Sequence, residues 1–331
     1  MITVGIINYN KEAFIEECIF TAMYQNFPPK EIIIVDDCST DNSKQRIEHM
    51  IATNKTNVKI KAVYFEENSG DPAEPINTII ELTKTDYLFL TASDDFLYQD
   101  ALKMLHTEIQ KGGYDFVTSG LMLVNEKGSP QEAWIQENIP PHTMVAEIWK
   151  TGGSGKMTTV GLYRTSFLKD VGYIKYHDIE SDVINTLNYI KNKCRYKIMQ
   201  EPLIAYRQHA GNNSKNLKKR VNRIGAIMDF IVKNFPPRIF LAGIPIPNVG
   251  RDQFVNVIIA KFYLGVSKLY IENKLPAYLN VSATDEELKQ LAQPLLLEAR
   301  KYLSEAEKHG EYYWKEIIDT YEEIDSLLIT S

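Results

Sequence analysis

What this chain has little of narrows its class before any motif is read. Only three of its 331 residues are cysteine, Cys18, Cys38 and Cys194, and none pairs in a C-x-x-C spacing. Neither a disulfide framework nor a cysteine-built zinc site is expected from them. No apolar run approaches the ~18 residues a membrane-spanning helix needs, so none is expected. The first residues read as a strand, with no basic stretch ahead of an apolar one, so no secretory signal is expected. There is no G-x-G-x-x-G after the first strand pattern and no G-x-x-x-x-G-K-[ST] anywhere. The common glycine-rich cradles for phosphate are therefore missing, and a metal is expected to do that work. Disorder is excluded by a hydrophobic share of 44%.

Net charge is also small, −6 from 37 Lys+Arg against 43 Asp+Glu, which weighs against nucleic acid as a partner. The mean hides three blocks. Residues 1–214 carry 21 basic and 28 acidic residues, net −7; residues 215–283 carry 11 and 3, net +8; residues 284–331 carry 5 and 12, net −7. Lys215, Lys218, Lys219, Arg220 and Arg223 fall on neighbouring helical turns ahead of Ile224, Ile227 and Ile231. Such a basic amphipathic segment suits a peripheral membrane contact, an anionic acceptor, or plain helix packing and self-association, and the three stay open. The acidic tail offers it counter-charge, within one chain or between subunits.

Up to about residue 214 the chain alternates short apolar runs with helical periodicity. Strands are predicted over 2–7, 32–35, 58–65, 87–90, 116–124 and 158–163, and helices over 12–24, 41–53, 75–84, 97–111 and from about Ile179. Residues 125–157 read as irregular, around Pro140-Pro141 and Gly152-Gly153-Ser154-Gly155. Beyond 215 only helical patterns remain, notably 252–272 and 285–328. The expected architecture is α/β: an open, mixed but mostly parallel sheet with helices on both faces over residues 1–214, then an all-α domain over 215–331.

In such sheets a ligand sits outside the carboxyl ends of the strands. Three polar clusters land there: Asn8-Tyr9-Asn10, Asp36-Asp37 and Ser93-Asp94-Asp95. An aromatic beside carboxylates suits a nucleoside, and adjacent carboxylates suit a hard divalent cation with a diphosphate. Each cluster alone also reads as a turn or a helix cap; three at one edge favour a site.

Asn8-Tyr9-Asn10-Lys11, then Ile32 to Asp41, then Asn68-Ser69-Gly70, Thr91-Ala92-Ser93-Asp94-Asp95, Gly172-Tyr173 and Glu201 to His209 follow one another in an order that resembles the inverting GT-A glycosyltransferases of family 2. The resemblance covers about residues 1–214 and implies a Rossmann-like GT-A fold and transfer from a UDP- or dTDP-linked sugar. It implies that Tyr9 and Asp37 hold the nucleobase, with Ile7, Asn8 and Asn68 lining the same pocket. Asp94 would contact the ribose or the metal, Asp95 would bind the metal, and Arg207 and His209 would meet the diphosphate, His209 also as a metal ligand. The base would be Asp182, with Glu180 the runner-up, and His177 and Glu180 would position the acceptor. The cofactor would be Mn2+ or Mg2+. The acceptor would be a hydroxyl of a glycan or glycolipid in bacterial cell-surface polysaccharide synthesis, in the cytoplasm at the inner face of the membrane. Homo-oligomers would form through the C-terminal helices. Three positions depart from the family pattern: Ala92 stands at the first carboxylate of the metal motif, Ile76 replaces an arginine before Asn77, and no adjacent Glu-Asp pair precedes the last helix. The first is a variation the family tolerates; the other two motivate an alternative, a non-catalytic nucleotide-sugar or glycan-binding protein with the same fold.

Overall fold

The computed structural model describes residues 1–151, 158–176, 179–180, 182–209, 217–272 and 284–330; for residues 179–180, 217–222, 285 and 329–330 it describes the backbone alone. The chain forms two compact units, Met1–Met144 with Ser154–Asn212, and Val145–Gly153 with Asn213–Ser331.

The first unit runs β1 (Ile2–Asn8), α1 (Ile15–Met23), β2 (Glu31–Asp36), α2 (Ser43–Thr53), β3 (Lys59–Tyr64), α3 (Ala73–Leu82), β4 (Tyr87–Ala92), β5 (Phe96–Leu97), α4 (Ala101–Gly112), β6 (Phe116–Val124) and β7 (Pro130–Trp134). It reaches the start of α5 (Pro141–Thr151) and resumes with β8 (Gly161–Arg164), α6 (Thr165–Val171), β9 (Lys175–Tyr176), β10 (Ile179–Glu180), α7 (Asp182–Lys191) and β11 (Tyr196–Arg207). The main sheet is ordered β3-β2-β1-β4-β8-β6-β11-β5, with β7 on the side of β6. Strands β1 to β4 pair in parallel, β8 runs antiparallel to both β4 and β6, and β6 is parallel to β11. β1, β2 and β4 are buried along nearly their whole length, as strands covered on both faces must be. α3 lies so close to β1 that a Cβ on Gly5 would stand 2.4 Å from Ile79, so this packing requires glycine.

The stretch 125–157, expected to be irregular, holds β7 and α5. Pro141 is the first residue of α5, where its missing N–H costs nothing, and Pro130 opens an exposed edge strand. α6 and the two-residue β5 were also not anticipated. The helix expected from 97 starts at Ala101 because Phe96 and Leu97 pair with β11 instead.

The second unit is helical: α8 (Leu217–Asn234), α9 (Pro237–Phe240), α10 (Arg251–Ile271), α11 (Asp285–Glu307) and α12 (Trp314–Thr330). Residues at the end of α5 belong with it, since Trp149 packs 4.8 Å from Phe240 and 4.6 Å from Phe262. The single helix expected over 285–328 is two helices, parted near Gly310 at φ 126°. α11 opens with a capping box between Thr284 and Glu287. α10 is long and apolar enough by composition to cross a membrane, contrary to the reading of its sequence. It has nine buried residues, among them the polar Gln253 and Ser267, and is wedged against the other helices of its unit like a core helix. Gln253 donates to the Gly310 carbonyl and accepts from Tyr313 N (3.1 Å), which pins the α11–α12 link. The acidic tail meets the basic block at Lys268–Glu323, and Arg300–Asp325 (3.0 Å) ties α11 to α12. Lys215, and the side chains of Lys218, Lys219 and Arg220, lie outside the described residues.

Candidate functional site

The carboxyl ends of β1, β2 and β4 converge, so the three polar clusters share one edge. Asn8 is buried, and its Nδ2 donates to Asp36 Oδ2 at 2.6 Å. Asp36 also accepts from Ser39 N (2.9 Å) and Ser39 Oγ (2.7 Å), so it fixes the turn after β2 and has a structural role. Asn8 Oδ1 is buried with no hydrogen-bond partner among the described residues. Asn10 (φ 52°) and Cys38 (φ 61°) take the left-handed backbone that folds the two turns together. Asn10 Oδ1 then receives Thr40 N–H at 2.8 Å. Tyr9 remains 46% exposed at the rim, which leaves its ring open to a stacking partner. Ile7 passes beneath, its carbonyl accepting from Ser93 N (3.0 Å).

Asp37 is buried, and the loop after β3 closes on it. Its Oδ1 accepts from Ser69 N (2.8 Å), while Oδ2 accepts from Ser69 Oγ (2.8 Å) and Asn68 Nδ2 (3.0 Å). Asp37 and Asn68 are thus neighbours, as one pocket requires. A carboxylate has roughly four acceptor positions, so three are in use and one is left for a ligand. Asp71, at the end of this loop, forms an ion pair with Lys175 of β9.

The acidic turn between β4 and β5 is held more tightly. Asp95 is 4% exposed, and its Oδ1 accepts Arg207 N at 3.0 Å. Burial, and next the charge of Asp94, push the Asp95 carboxyl well above the usual carboxylate range against the pull of Arg207 and Lys11. Asp94 Oδ2 faces His209 Nε2 at 3.0 Å and Lys11 Nζ at 3.4 Å. No cluster of three or more metal-ligating groups is preformed among the described residues. The chemistry of the pair nevertheless fits a hard divalent cation: two adjacent carboxylates, one desolvated and repelled by the other, are relieved by added positive charge. Cys18 lies under this turn, its Sγ 3.6 Å from the Ala92 carbonyl; burial, then Asp95 and Asp94, push its thiol up, so it is inert as a nucleophile.

Arg207 does not reach into the open pocket. It is 2% exposed, and its Nε donates to the Asp94 carbonyl (2.9 Å), Nη1 to the Glu126 carbonyl (2.7 Å) and Nη2 to Glu17 Oε2. Its guanidinium lies 4.9 Å from the Phe14 ring and 5.3 Å from that of Phe96. Arg207, for which the resemblance implies contact with the diphosphate, is thus braced against the Asp94 carbonyl and the Asp95 carboxylate. Lys11, Phe14 and Glu17 are the residues the sequence reading did not single out. Lys11 had a signal, its place directly after Asn8-Tyr9-Asn10; Glu17 and Phe14 had none beyond the helix pattern.

Asp182 is the first residue of α7, exposed, with its Oδ1 accepting Thr159 Oγ1 (2.5 Å) and Tyr173 OH (3.0 Å). Ile76 is buried, so the position where the family pattern expects arginine is part of the α3 packing. His177, the side chain of Glu180 and Gly152–Gly155 lie outside the described residues.

With the geometry in place, comparison with known proteins adds the lineage. The model of glycosyl transferase family 2 matches residues 3–172. Staphylococcus aureus poly(ribitol-phosphate) beta-N-acetylglucosaminyltransferase TarS is 28% identical over 209 residues, 62% of this chain and 35% of that protein. Bacillus spizizenii poly(ribitol-phosphate) beta-glucosyltransferase is 28% identical over 204 residues, 58% of this chain and 30% of that protein. The chain therefore matches about a third of the length of these relatives. Among solved structures, TarS 1–349 in complex with UDP-GlcNAc matches with a TM-score of 0.57 at 19% identity, covering 99% of this chain and 91% of that one. A mannosyltransferase from Pyrobaculum calidifontis in complex with GDP-Man and Mn2+ matches with a TM-score of 0.53 at 13% identity, covering 98% and 86%. These likenesses show the fold.

Proposed function

The chain belongs to glycosyl transferase family 2, and from that premise we propose that it is a metal-dependent, inverting glycosyltransferase that moves a sugar from a UDP-linked donor, or a dTDP-linked one, to a hydroxyl of a cell-surface polymer of the polyol-phosphate class. The observation that carries this reading is the acidic turn Ser93-Asp94-Asp95, anchored by Arg207 at the same carboxyl edge of the parallel strands as Asp37, with β1 between them. The TarS complexes with UDP-GlcNAc and UDP favour UDP as the nucleotide, and the TarS and Bacillus relatives favour poly(ribitol phosphate) as the acceptor type.

In this reading Tyr9 stacks on the base, and Asp37, with Asn68, Ile7 and Asn8 around it, accepts its N–H. Asp95, Asp94 and His209 would hold Mn2+ or Mg2+, which supplies Lewis-acid stabilisation of charge on the diphosphate. Lys11 adds a fixed positive charge on the same side. Asp182 accepts the proton of the acceptor hydroxyl as its oxygen bonds to the anomeric carbon and the carbon–diphosphate bond breaks. Attack from the face opposite the leaving group inverts the centre in one displacement. Residues 1–214 would carry this chemistry. The helical residues 215–331, with their basic block, would hold the anionic acceptor or the inner face of the membrane, and would be the site of any self-association. The reading sets the reaction in the cytoplasm.

The test is to incubate the full chain with UDP-GlcNAc or UDP-glucose, Mn2+ and poly(ribitol phosphate), and to measure UDP release and polymer-bound sugar. Transfer that stops in Asp95→Asn supports the reading. UDP binding with neither hydrolysis nor transfer supports instead the non-catalytic binder, which the buried Ile76 favours.

A further inference from the structure

The proposed base is not left loose at its helix end. Thr159 Oγ1 (2.5 Å) and Tyr173 OH (3.0 Å) converge on one carboxylate oxygen of Asp182, Oδ1. Each donor is itself anchored. Thr159 precedes β8 and is 7% exposed, and its carbonyl accepts the Tyr163 hydroxyl at 2.5 Å. Tyr163 is fully buried and stacks on Phe116 at 4.2 Å. Tyr173 is 4% exposed, and its backbone is gripped from two helices. Asn77 of α3 donates to the Tyr173 carbonyl (2.8 Å) and accepts its N–H (3.0 Å). Asn185 of α7 accepts the N–H of Ile174 (2.8 Å) and donates to its carbonyl (3.1 Å). Asn77 and Asn185 thus act as two-way clamps on consecutive peptide units. The backbone that carries Tyr173 is fixed to the helix below it and to the helix that carries Asp182.

The arithmetic of a carboxylate explains the point of this. A base needs one oxygen free for the incoming proton and the other fixed, so that the free one keeps its aim. A lone aspartate on an exposed helix start would rotate about two torsions. Two hydroxyls on Oδ1 remove that freedom, and neither bonds to Oδ2.

We propose that Tyr173 and Thr159 are positioning residues for the base, which they act on by holding Oδ1 of Asp182, with Asn77 and Asn185 fixing Tyr173 in turn. This rests on the reading of Asp182 as the base. It assigns a role to the hydroxyl of Tyr173 that a phenyl ring at the same place would lack.

The experiment measures steady-state transfer, donor and acceptor KM, and melting temperature for Tyr173→Phe, Thr159→Val, Thr159→Ser and Asp182→Asn in the full chain. The expected result is a kcat lower by on the order of tenfold in Tyr173→Phe and Thr159→Val, with both KM values within about twofold of wild type. Thr159→Ser, which keeps a hydroxyl, restores kcat. Unchanged kcat in Tyr173→Phe and Thr159→Val overturns the proposal. So does a kcat loss matched by a fall in melting temperature that Thr159→Ser does not rescue, which is the mark of a merely structural role. Full transfer by Asp182→Asn overturns the reading of the base itself and is distinguishable from both.

Discussion

The two units of this chain solve the problem of charge in opposite ways. At the sheet edge of the first, charged side chains are taken inside: Asp95, Asp37 and Arg207 are each nearly buried, Asp95 held by Arg207 N, Asp37 by Asn68 and Ser69, and Arg207 by Asp94, Glu126 and Glu17. In the helical unit the described interior is mostly apolar and aromatic, with Trp149, Phe240, Tyr263, Leu296 and Ile324 buried beside the uncharged Gln253 and Ser267, while its ion pairs, such as Arg300–Asp325, lie half exposed. Burying like-signed carboxylates side by side is unfavourable unless a ligand of opposite sign arrives. The first unit holds such pairs at Asp36-Asp37 and Asp94-Asp95; among the described residues of the second, no Asp or Glu is buried. In the proposed reading the buried charge marks the unit that carries the transfer chemistry.

That contrast can be attacked in order of expected effect. Asp182→Asn should lower kcat by on the order of 10²- to 10⁴-fold, measured as UDP release, with the melting temperature unchanged. A similar loss from any single change in the helical unit that leaves acceptor KM alone would blur the division of labour. Arg207→Met should cost about 3–5 kcal/mol in chemical denaturation, because it leaves buried partners unsatisfied, and should weaken the Mn2+-induced rise in melting temperature. Trp149→Ala should cost about 3 kcal/mol by opening a cavity against Phe240 and Phe262. UDP affinity, read by calorimetry, should not change with it. Asp95→Asn should raise the stability of the cation-free protein by on the order of 1 kcal/mol while removing its response to Mn2+. The sign follows from the raised Asp95 carboxyl. The native state holds its proton longer than the unfolded chain, so wild-type stability falls as pH rises from about 4 through the raised value, and the asparagine variant lacks that fall. Lys268→Ala should cost less than about 1 kcal/mol, since the Lys268–Glu323 pair is partly exposed.

Much of the first unit was legible because its signals are local. Ile32-Ile33-Ile34-Val35 has no polar break and can only be a strand covered on both sides, and β6 falls on the predicted residues 116–124. The acidic turns were visible because three polar clusters fall after predicted strands of one sheet, although Asp36 serves its own turn. What was not legible depends on contacts distant in sequence. Arg207 looked like a donor ligand from its motif, yet Glu17, 190 residues away, and Glu126 take its fork. α5 was hidden because a proline pair reads as a break, although one proline at a helix start is harmless. α10 passes as a spanning helix on composition, and only its contacts within the unit show the core face.

The two sides of the pocket are wired separately. Asp37 is held by Asn68 and Ser69, whereas Asp94 and Asp95 are held by Lys11, His209 and Arg207, and among the described residues no side chain belongs to both sets. The half that would read the base and the half that would handle the leaving group are therefore independently adjustable. Under the proposed assignment, exchange at Asn68 or Ser69 would alter the hold on Asp37 and remove no named bond to Asp94 or Asp95. A sheet edge built in this way can be re-addressed to a new donor while its reaction stays the same.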